Sequence, residues 1–243
     1  YLFKNLIKRK GHIIADENSP EVQKIKKISI KKNINLSLIH NESNGIQLVS
    51  HRFEKEKQIL EIKFKKAKYK IYLNLIGKIQ VKNILMAIIA ANNSGIEFKK
   101  ILKILPRITS VEGRLEKIGK IHNNSKVILD YAHTPAALES ALSNLKEQFP
   151  FNKINLIFGC GGDRDFKKRS LMGKIAEKYS NEIYLTDDNP RNEKPFEIRN
   201  EIKKGIKNKR IHEIPDRKKA IQEAVKNLKT GDILLVAGKG HEK

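Results

Sequence analysis

Cysteine is nearly absent. Cys160 is the only one in 243 residues, so no disulfide can form within the chain and a cytoplasmic setting is expected. No stretch approaches the roughly eighteen consecutive apolar residues of a membrane span, so no membrane partner is expected. Residues 1–9 alternate apolar and basic side chains without a long apolar core or a small-residue cleavage site, which excludes a secretory signal there. The seven histidines show no metal-ligand spacing. There is no initiator methionine, which suggests a fragment, and there is no internal repeat or low-complexity linker. Acidic residues are short in supply: 27 against 50 basic ones leave a formal charge of +23. The excess is lysine rather than arginine and is scattered from end to end, as in Lys24-Ile25-Lys26-Lys27-Ile28. No interleaved aromatic platform, zinc finger or helix-turn-helix accompanies it, so the lysines read as solvated faces and no nucleic-acid partner is expected. An anionic substrate would suit the same surface.

What is present is a soluble composition, 39% hydrophobic and 32% charged, long enough for one large domain or two small ones. In the first part, residues 12–15 read as a buried strand, Pro20 as the start of a helix running to 32, and residues 36–40, 45–50, 58–64 and 69–75 as strands. The last two alternate apolar and polar side chains, as half-buried antiparallel strands do. Helices follow at 79–93 and 97–105, the second stopped by Pro106. From residue 127 the pattern changes to short apolar strands (127–129, 154–158, 183–185, 211–214, 233–236) alternating with helices (135–148, 167–179, 195–205, 217–228). That series predicts a largely parallel sheet covered on both faces. A boundary near residues 110–116 gives two domains, 1–112 and 113–243.

In open α/β sheets ligands bind beyond the carboxyl ends of the strands. Four of these strands end in polar loops: Asp130-Tyr131-Ala132-His133-Thr134-Pro135, Gly159-Cys160-Gly161-Gly162-Asp163-Arg164-Asp165, Thr186-Asp187-Asp188-Asn189-Pro190-Arg191, and Ala237-Gly238-Lys239-Gly240-His241-Glu242. Parallel strands would bring all four to one rim and make a site. Arg164 and Arg191 offer guanidinium forks for a carboxylate or phosphate, while Asp188 and Glu242 could hold an ammonium group. Such a set suits a zwitterionic amino acid. Gly159, Gly161 and Gly162 would let backbone approach a ligand or take positive φ. Asp165 reads equally well as a helix cap, and Cys160 as a packing residue, since no base stands beside it in the pattern.

Taken in order, these loops together with Gly113-Arg114-Leu115-Glu116, Lys168-Arg169 and Met172-Gly173 resemble the Mur ligase family, clearly from about residue 77 onward. The resemblance implies the carboxyl-terminal part of a central ATP-binding domain over 1–112 and a Rossmann-like, amino-acid-binding α/β domain over 113–243. It implies ATP and magnesium as cofactors, a monomer, and as partners UDP-MurNAc-L-Ala-D-Glu and meso-diaminopimelate. The reaction would join these through an acyl phosphate, releasing ADP and phosphate. Asn83, in a Gly-x-x-x-x-x-Asn stretch, resembles the adenine-recognising residue, with Gln80 where the family has a second Asn. Arg114 and His133 resemble catalytic residues; Arg114, Asp130 and Tyr131 resemble nucleotide-binding ones. Arg164, Asp188, Asn189, Pro190, Arg191, Gly238 and Glu242 resemble the diaminopimelate pocket, in which Arg191 pairs with the distal carboxylate. No metal ligand is expected in the chain. A Gly-rich phosphate loop is absent from the sequence, and Tyr1-Leu2-Phe3 resembles the tail of a Lys-x-x-Leu-Phe stretch, so isolated ligase activity is not expected. Two rivals stand beside this reading: another amide ligase of the superfamily, of folylpolyglutamate or cyanophycin type, and a non-catalytic basic binding module.

Overall fold

The computed structural model describes residues 11–40, 45–121, 123–208 and 210–238, which divide into two compact units meeting between Thr109 and Ser110. The first unit opens with β1 (His12–Asp16), α1 (Val22–Lys32) and β2 (Asn35–Ile39). The helix starts two residues after Pro20 and ends on Asn33, whose left-handed φ of 49° stops it. Then come β3 (Gly45–Glu54), β4 (Lys57–Phe64), β5 (Ala67–Leu73), α2 (Ile79–Asn93), α3 (Phe98–Ile104) and a 3-10 turn at Leu105–Arg107. The five strands lie in sequence order; β1, β2 and β3 pair in parallel, while β3, β4 and β5 form antiparallel hairpins. The apolar stripe of α2 (Val81, Ile84, Leu85, Ile88, Ile89) is buried in one core with Ile39, Ile46, Leu60, Ile62, Ile71 and Leu73 from the sheet. Burial of that stripe, more than helix propensity, holds α2 in place.

The second unit contains β6 (Glu116–Lys120), β7 (Lys126–Asp130), α4 (Pro135–Gln148), β8 (Ile154–Phe158), α5 (Lys167–Tyr179), β9 (Glu182–Leu185), α6 (Pro195–Lys203), β10 (Arg210–Glu213), α7 (Arg217–Asn227) and β11 (Ile233–Ala237). Its sheet runs β10-β9-β8-β11-β7-β6, parallel throughout except where β6 pairs antiparallel to β7. Every residue of β8 and β11 is buried, as continuous apolar central strands of a two-sided parallel sheet must be. Truncating a side chain such as Leu235 there would cost about 2–5 kcal/mol. Right-handed crossovers carry the chain from β7 through β8 and β9 to β10 in one direction, so α4, α5 and α6 share a face. The return from β10 to β11 runs the other way and places α7 opposite. The packing agrees: α5 touches both α4 and α6, while α7 buries Ala220 and Ala224 against Ile157, Tyr184, Leu234 and Val236. Among the described residues no helix is long and apolar enough to cross a membrane.

Candidate functional site

The parallel sheet sends β7, β8, β9 and β11 out on one rim, and the loops that follow them enclose a cavity of about 550 Å³. Its charged and polar wall includes Tyr131, His133, Arg164, Asp188, Arg191 and Gly238. Local sequence explains how each loop is set. Thr134 caps α4, accepting from the Ala137 amide at 3.3 Å, with Pro135 at the first helical position. That cap fixes the turn that presents His133. At the end of β11, Gly238 takes φ +91°, and its amide donates to the Asp130 carbonyl at 3.0 Å. A side chain in that conformation would be strained.

The three glycines after β8 do not take the positive φ that their pattern allows, and they bring two loops together. A Cβ on Gly159 would stand 2.3 Å from the Thr186 carbonyl oxygen, and one on Gly162 would stand 1.9 Å from that of Pro190. They let the β8 and β9 loops touch each other, and Gly159 and Gly161 also line the cavity. The Gly162 amide donates to the Asn189 carbonyl at 2.8 Å, and the Arg191 guanidinium donates through Nη1 to the Gly162 carbonyl. Arg191 itself sits at φ +50°, so its backbone is bent to aim the side chain across the loops.

Charge in and around the cavity divides into spent and unspent groups. Asp187 is spent: it pairs with Arg199, which also holds Glu213 at 2.8 Å. Its neighbour Asp188 makes no hydrogen bond or ion pair among the described residues, and Arg164 is exposed and likewise unengaged there. Lys168 lines the cavity and donates to the His133 carbonyl at 3.1 Å. His133 Nδ1 lies 3.0 Å from the Tyr131 carbonyl, and its ring meets Tyr131 edge-on at 4.7 Å. The Arg114 guanidinium lies over the Tyr131 ring, 5.0 Å from its centre. Asp130 accepts from the Ala132 amide at 2.8 Å and the Leu115 amide at 2.9 Å. Burial raises its carboxyl above the ordinary range, and these amides and Arg114 offset only part of that. Cys160 is buried with its sulfur 3.6 Å from that of Met172, and burial pushes its thiol up to about 11, which suits a packing residue.

Of the residues singled out in sequence, Tyr131, His133, Arg164, Asp188, Asn189, Arg191 and Gly238 line this one cavity. Asp130, Arg114 and Pro190 do not line it, and the Pro190 carbonyl is packed on Gly162. Asn83 belongs to the other unit, on α2, where it donates to Gln80 at 3.3 Å. Glu242 lies outside the described residues. Sequence reasoning assigned no role to Lys168 or Leu171, which also line the cavity. Their spacing of three on α5 puts them on one helix face, a signal available once that helix is placed over the rim. Asp165 lines the wall and accepts from the Lys167 amide at 3.0 Å, while the residue that caps α5 is Phe166, without a side-chain cap bond. Among the described residues no group of three His, Cys, Asp or Glu could hold a metal ion.

A family profile described as Mur ligase, glutamate ligase domain, matches residues 113–240. The UDP-N-acetylmuramoyl-L-alanyl-D-glutamate--2,6-diaminopimelate ligase of Rickettsia felis is 38% identical over 233 residues, covering 96% of this chain and 43% of that protein. The enzyme of the same name from Rickettsia montanensis is 38% identical over 242 residues, covering 99% of this chain and 50% of its own length. A solved structure of a ligase of that name superposes with a TM-score of 0.69 at 29% identity, covering 96% of this chain and 48% of the other. The chain thus spans about half the length of the relatives it matches.

Proposed function

The chain belongs to the Mur ligase family, and we propose that it forms the amino-acid-receiving half of an ATP-dependent ligase that adds meso-diaminopimelate to UDP-MurNAc-L-Ala-D-Glu in peptidoglycan synthesis. The observation that carries this reading is the cavity on the carboxyl rim, where two arginines, Arg164 and Arg191, face the same space as the carboxylate of Asp188, which has no partner among the described residues. Diaminopimelate carries a carboxylate and an ammonium group at each end. Two guanidinium forks suit its two carboxylates, and Asp188 suits an ammonium group. Arg191 is half-committed, since Nη1 is held by the Gly162 carbonyl, and this fixes the direction in which the rest of its fork points. L-Lysine lacks the distal carboxylate and would leave one arginine unpaired, which is how a polar pocket rejects a near-isostere.

ATP would supply the phosphoryl group that activates the D-glutamate γ-carboxylate. The residues of this chain would then hold the amine against the activated carbon as the C–N bond forms and phosphate leaves. Positioning and electrostatic stabilisation supply most of the rate in such transfers. Asp130, Tyr131 and Arg114 are proposed on the nucleotide side. Asp130 fits that role through the lone pairs its two oxygens retain, each having accepted one backbone amide. Arg114, packed on the Tyr131 ring, is oriented by it. His133, with Nδ1 directed at a carbonyl, keeps Nε2 for the cavity. Asn83 is proposed to read adenine. Magnesium is part of the proposed reaction, but no ligand for it is proposed among the described residues.

Calorimetric titration with meso-diaminopimelate and with L-lysine tests the reading. Diaminopimelate should bind at least about tenfold more tightly, the value of one charge-assisted pair of about 1.5–3 kcal/mol. Arg191→Ala should abolish the preference. A preference for lysine would sink the assignment.

A further inference from the structure

The two loops that carry the pocket arginines are joined by an ionic clasp that itself lines nothing. Arg169, on the first turn of α5, is 1% exposed. Its Nη1 donates to Glu193 Oε2 at 2.7 Å and to Glu201 Oε2 at 2.8 Å; its Nη2 donates to Glu193 Oε1 at 2.7 Å and to the Gly161 carbonyl at 3.2 Å. Glu193 Oε1 also accepts from the Asp163 amide at 2.6 Å. One carboxylate on the β9 loop therefore grips the β8 loop twice, directly at Asp163 and through Arg169 at Gly161. A second set of bonds follows the same seam, with Asn192 Nδ2 donating to Asp163 Oδ2 at 2.8 Å. The Arg169 pair holds the Glu193 carboxyl down to about 2.

Neither Arg169 nor Glu193 touches the cavity, yet their neighbours do: Gly161 and Arg164 from one loop, Asp188, Asn189 and Arg191 from the other. A buried guanidinium deprived of its carboxylate is strongly unfavourable, so the clasp has one stable arrangement. We propose that Arg169 and Glu193 are a positioning pair that fixes Arg164 relative to Arg191, and so sets the fit to a ligand with a carboxylate at each end. The proposal rests on the diaminopimelate reading given above.

Two substitutions separate this role from general stability while leaving the buried arginine in place. Glu193→Gln breaks the clasp between the loops. Glu201→Gln removes the other carboxylate partner of Arg169, which lies on α6 and contributes nothing to the cavity wall. In the 243-residue chain, Glu193→Gln should speed amide exchange at Gly162 and Asp163 and raise the Kd for meso-diaminopimelate about tenfold or more, since a displacement of about 1 Å is enough for such a loss. The Kd for L-lysine should change far less, so selectivity falls with it. Glu201→Gln should leave both the exchange and the two Kd values unchanged. Unaltered diaminopimelate binding in Glu193→Gln would overturn the positioning role, and so would an equal loss in Glu201→Gln. If the unsubstituted chain ignored diaminopimelate while exchange still separated the two variants, the ligand reading would be overturned and the fixing of the two loops by the clasp would stand. The exchange result would then show that the clasp itself is intact and the ligand was misassigned.

Discussion

Gly162 and Gly161 are adjacent, yet alanine at each should fail in a different way. A Cβ at Gly162 would lie 1.9 Å from the Pro190 carbonyl oxygen and 2.7 Å from its carbon. Real contacts of this kind stay beyond 3.0 Å, so something must move by more than 1 Å. Nothing nearby is free to move. The Pro190 carbonyl accepts from the Glu193 amide at 3.0 Å, and the Gly162 amide donates to Asn189 at 2.8 Å. Overpacking costs about 1–3 kcal/mol, and one lost hydrogen bond adds about 1 kcal/mol, giving roughly 2–4 kcal/mol. For a unit of this size each kcal/mol lowers the melting temperature by about 3–5 °C, so Gly162→Ala should melt on the order of 10 °C lower.

At Gly161 the added Cβ would meet Arg191 Nη1 at 3.2 Å and the Asn189 carbonyl oxygen at 3.3 Å. The nearer atom is the end of a long side chain, which yields by a few tenths of an ångström at little cost. Gly161→Ala should therefore lose less than about 1 kcal/mol of stability but displace the arginine proposed to hold the distal carboxylate. Scanning calorimetry and ligand titration of both variants check this. Gly162→Ala melting within about 2 °C of the unsubstituted chain would refute the loop–loop contact. Gly161→Ala binding diaminopimelate normally would refute the importance of where Arg191 sits.

Arg199 is 7% exposed and pairs with Asp187 and Glu213, whose side chains are 29% and 30% exposed. Because those carboxylates can reach water, Arg199→Leu should cost about 1–3 kcal/mol rather than the full buried-pair value, read from urea midpoints; no change would refute the pairing. Glu193 titrates near 2 in the folded chain against an ordinary 4.5. Its stabilising contribution is complete above 4.5 and is lost as pH falls toward 2. The stability gap between the unsubstituted chain and Glu193→Gln should shrink across that window, and a gap that widens on acidification would contradict the clasp. Cys160, with its thiol near 11, would be only about 0.1% thiolate at pH 8. Labelling by a thiol reagent should be far slower in the native chain than in urea, and rapid native labelling would show that the side chain is accessible.

Much of this architecture is legible in the sequence because the signals are local. The β8 and β11 runs, Ile154–Phe158 and Ile233–Ala237, are continuous apolar stretches that only a two-sided core can use. Thr134-Pro135 and Asp216 mark the starts of α4 and α7 through their own caps. The strand β6 is not legible. It contains one large apolar residue, Ile118, which is 56% exposed, and it exists because β7 offers an open edge. The hairpin turns are also unmarked: Lys55, Lys65 and Lys66 take left-handed φ values where Gly or Asn would be expected. The site follows the same division. Placing four loops on one rim needs only the parallel sheet. Knowing that Gly159 packs on Thr186, or that Arg169 reaches Glu193, needs the pairing of segments more than twenty residues apart.

Residue type alone does not separate function from structure here, whereas satisfaction of charge does. Asp187 and Asp188 are neighbours of identical chemistry, and one is spent on Arg199 while the other faces the cavity. Arg164 and Arg169 differ in the same way, one exposed at the rim and the other buried among carboxylates. A charge already balanced within the protein gains little from a ligand, and an unbalanced one in a cavity is what a ligand must answer. Among the described lining residues Arg164, Lys168 and Arg191 stand against Asp165 and Asp188, a surplus of one positive charge. Diaminopimelate in solution is neutral overall, but an amine can attack only after losing its proton. The reactive form then carries two carboxylates and one ammonium, a net charge of minus one. The described part of the wall, with its surplus of one positive charge, would complement that form of the proposed ligand.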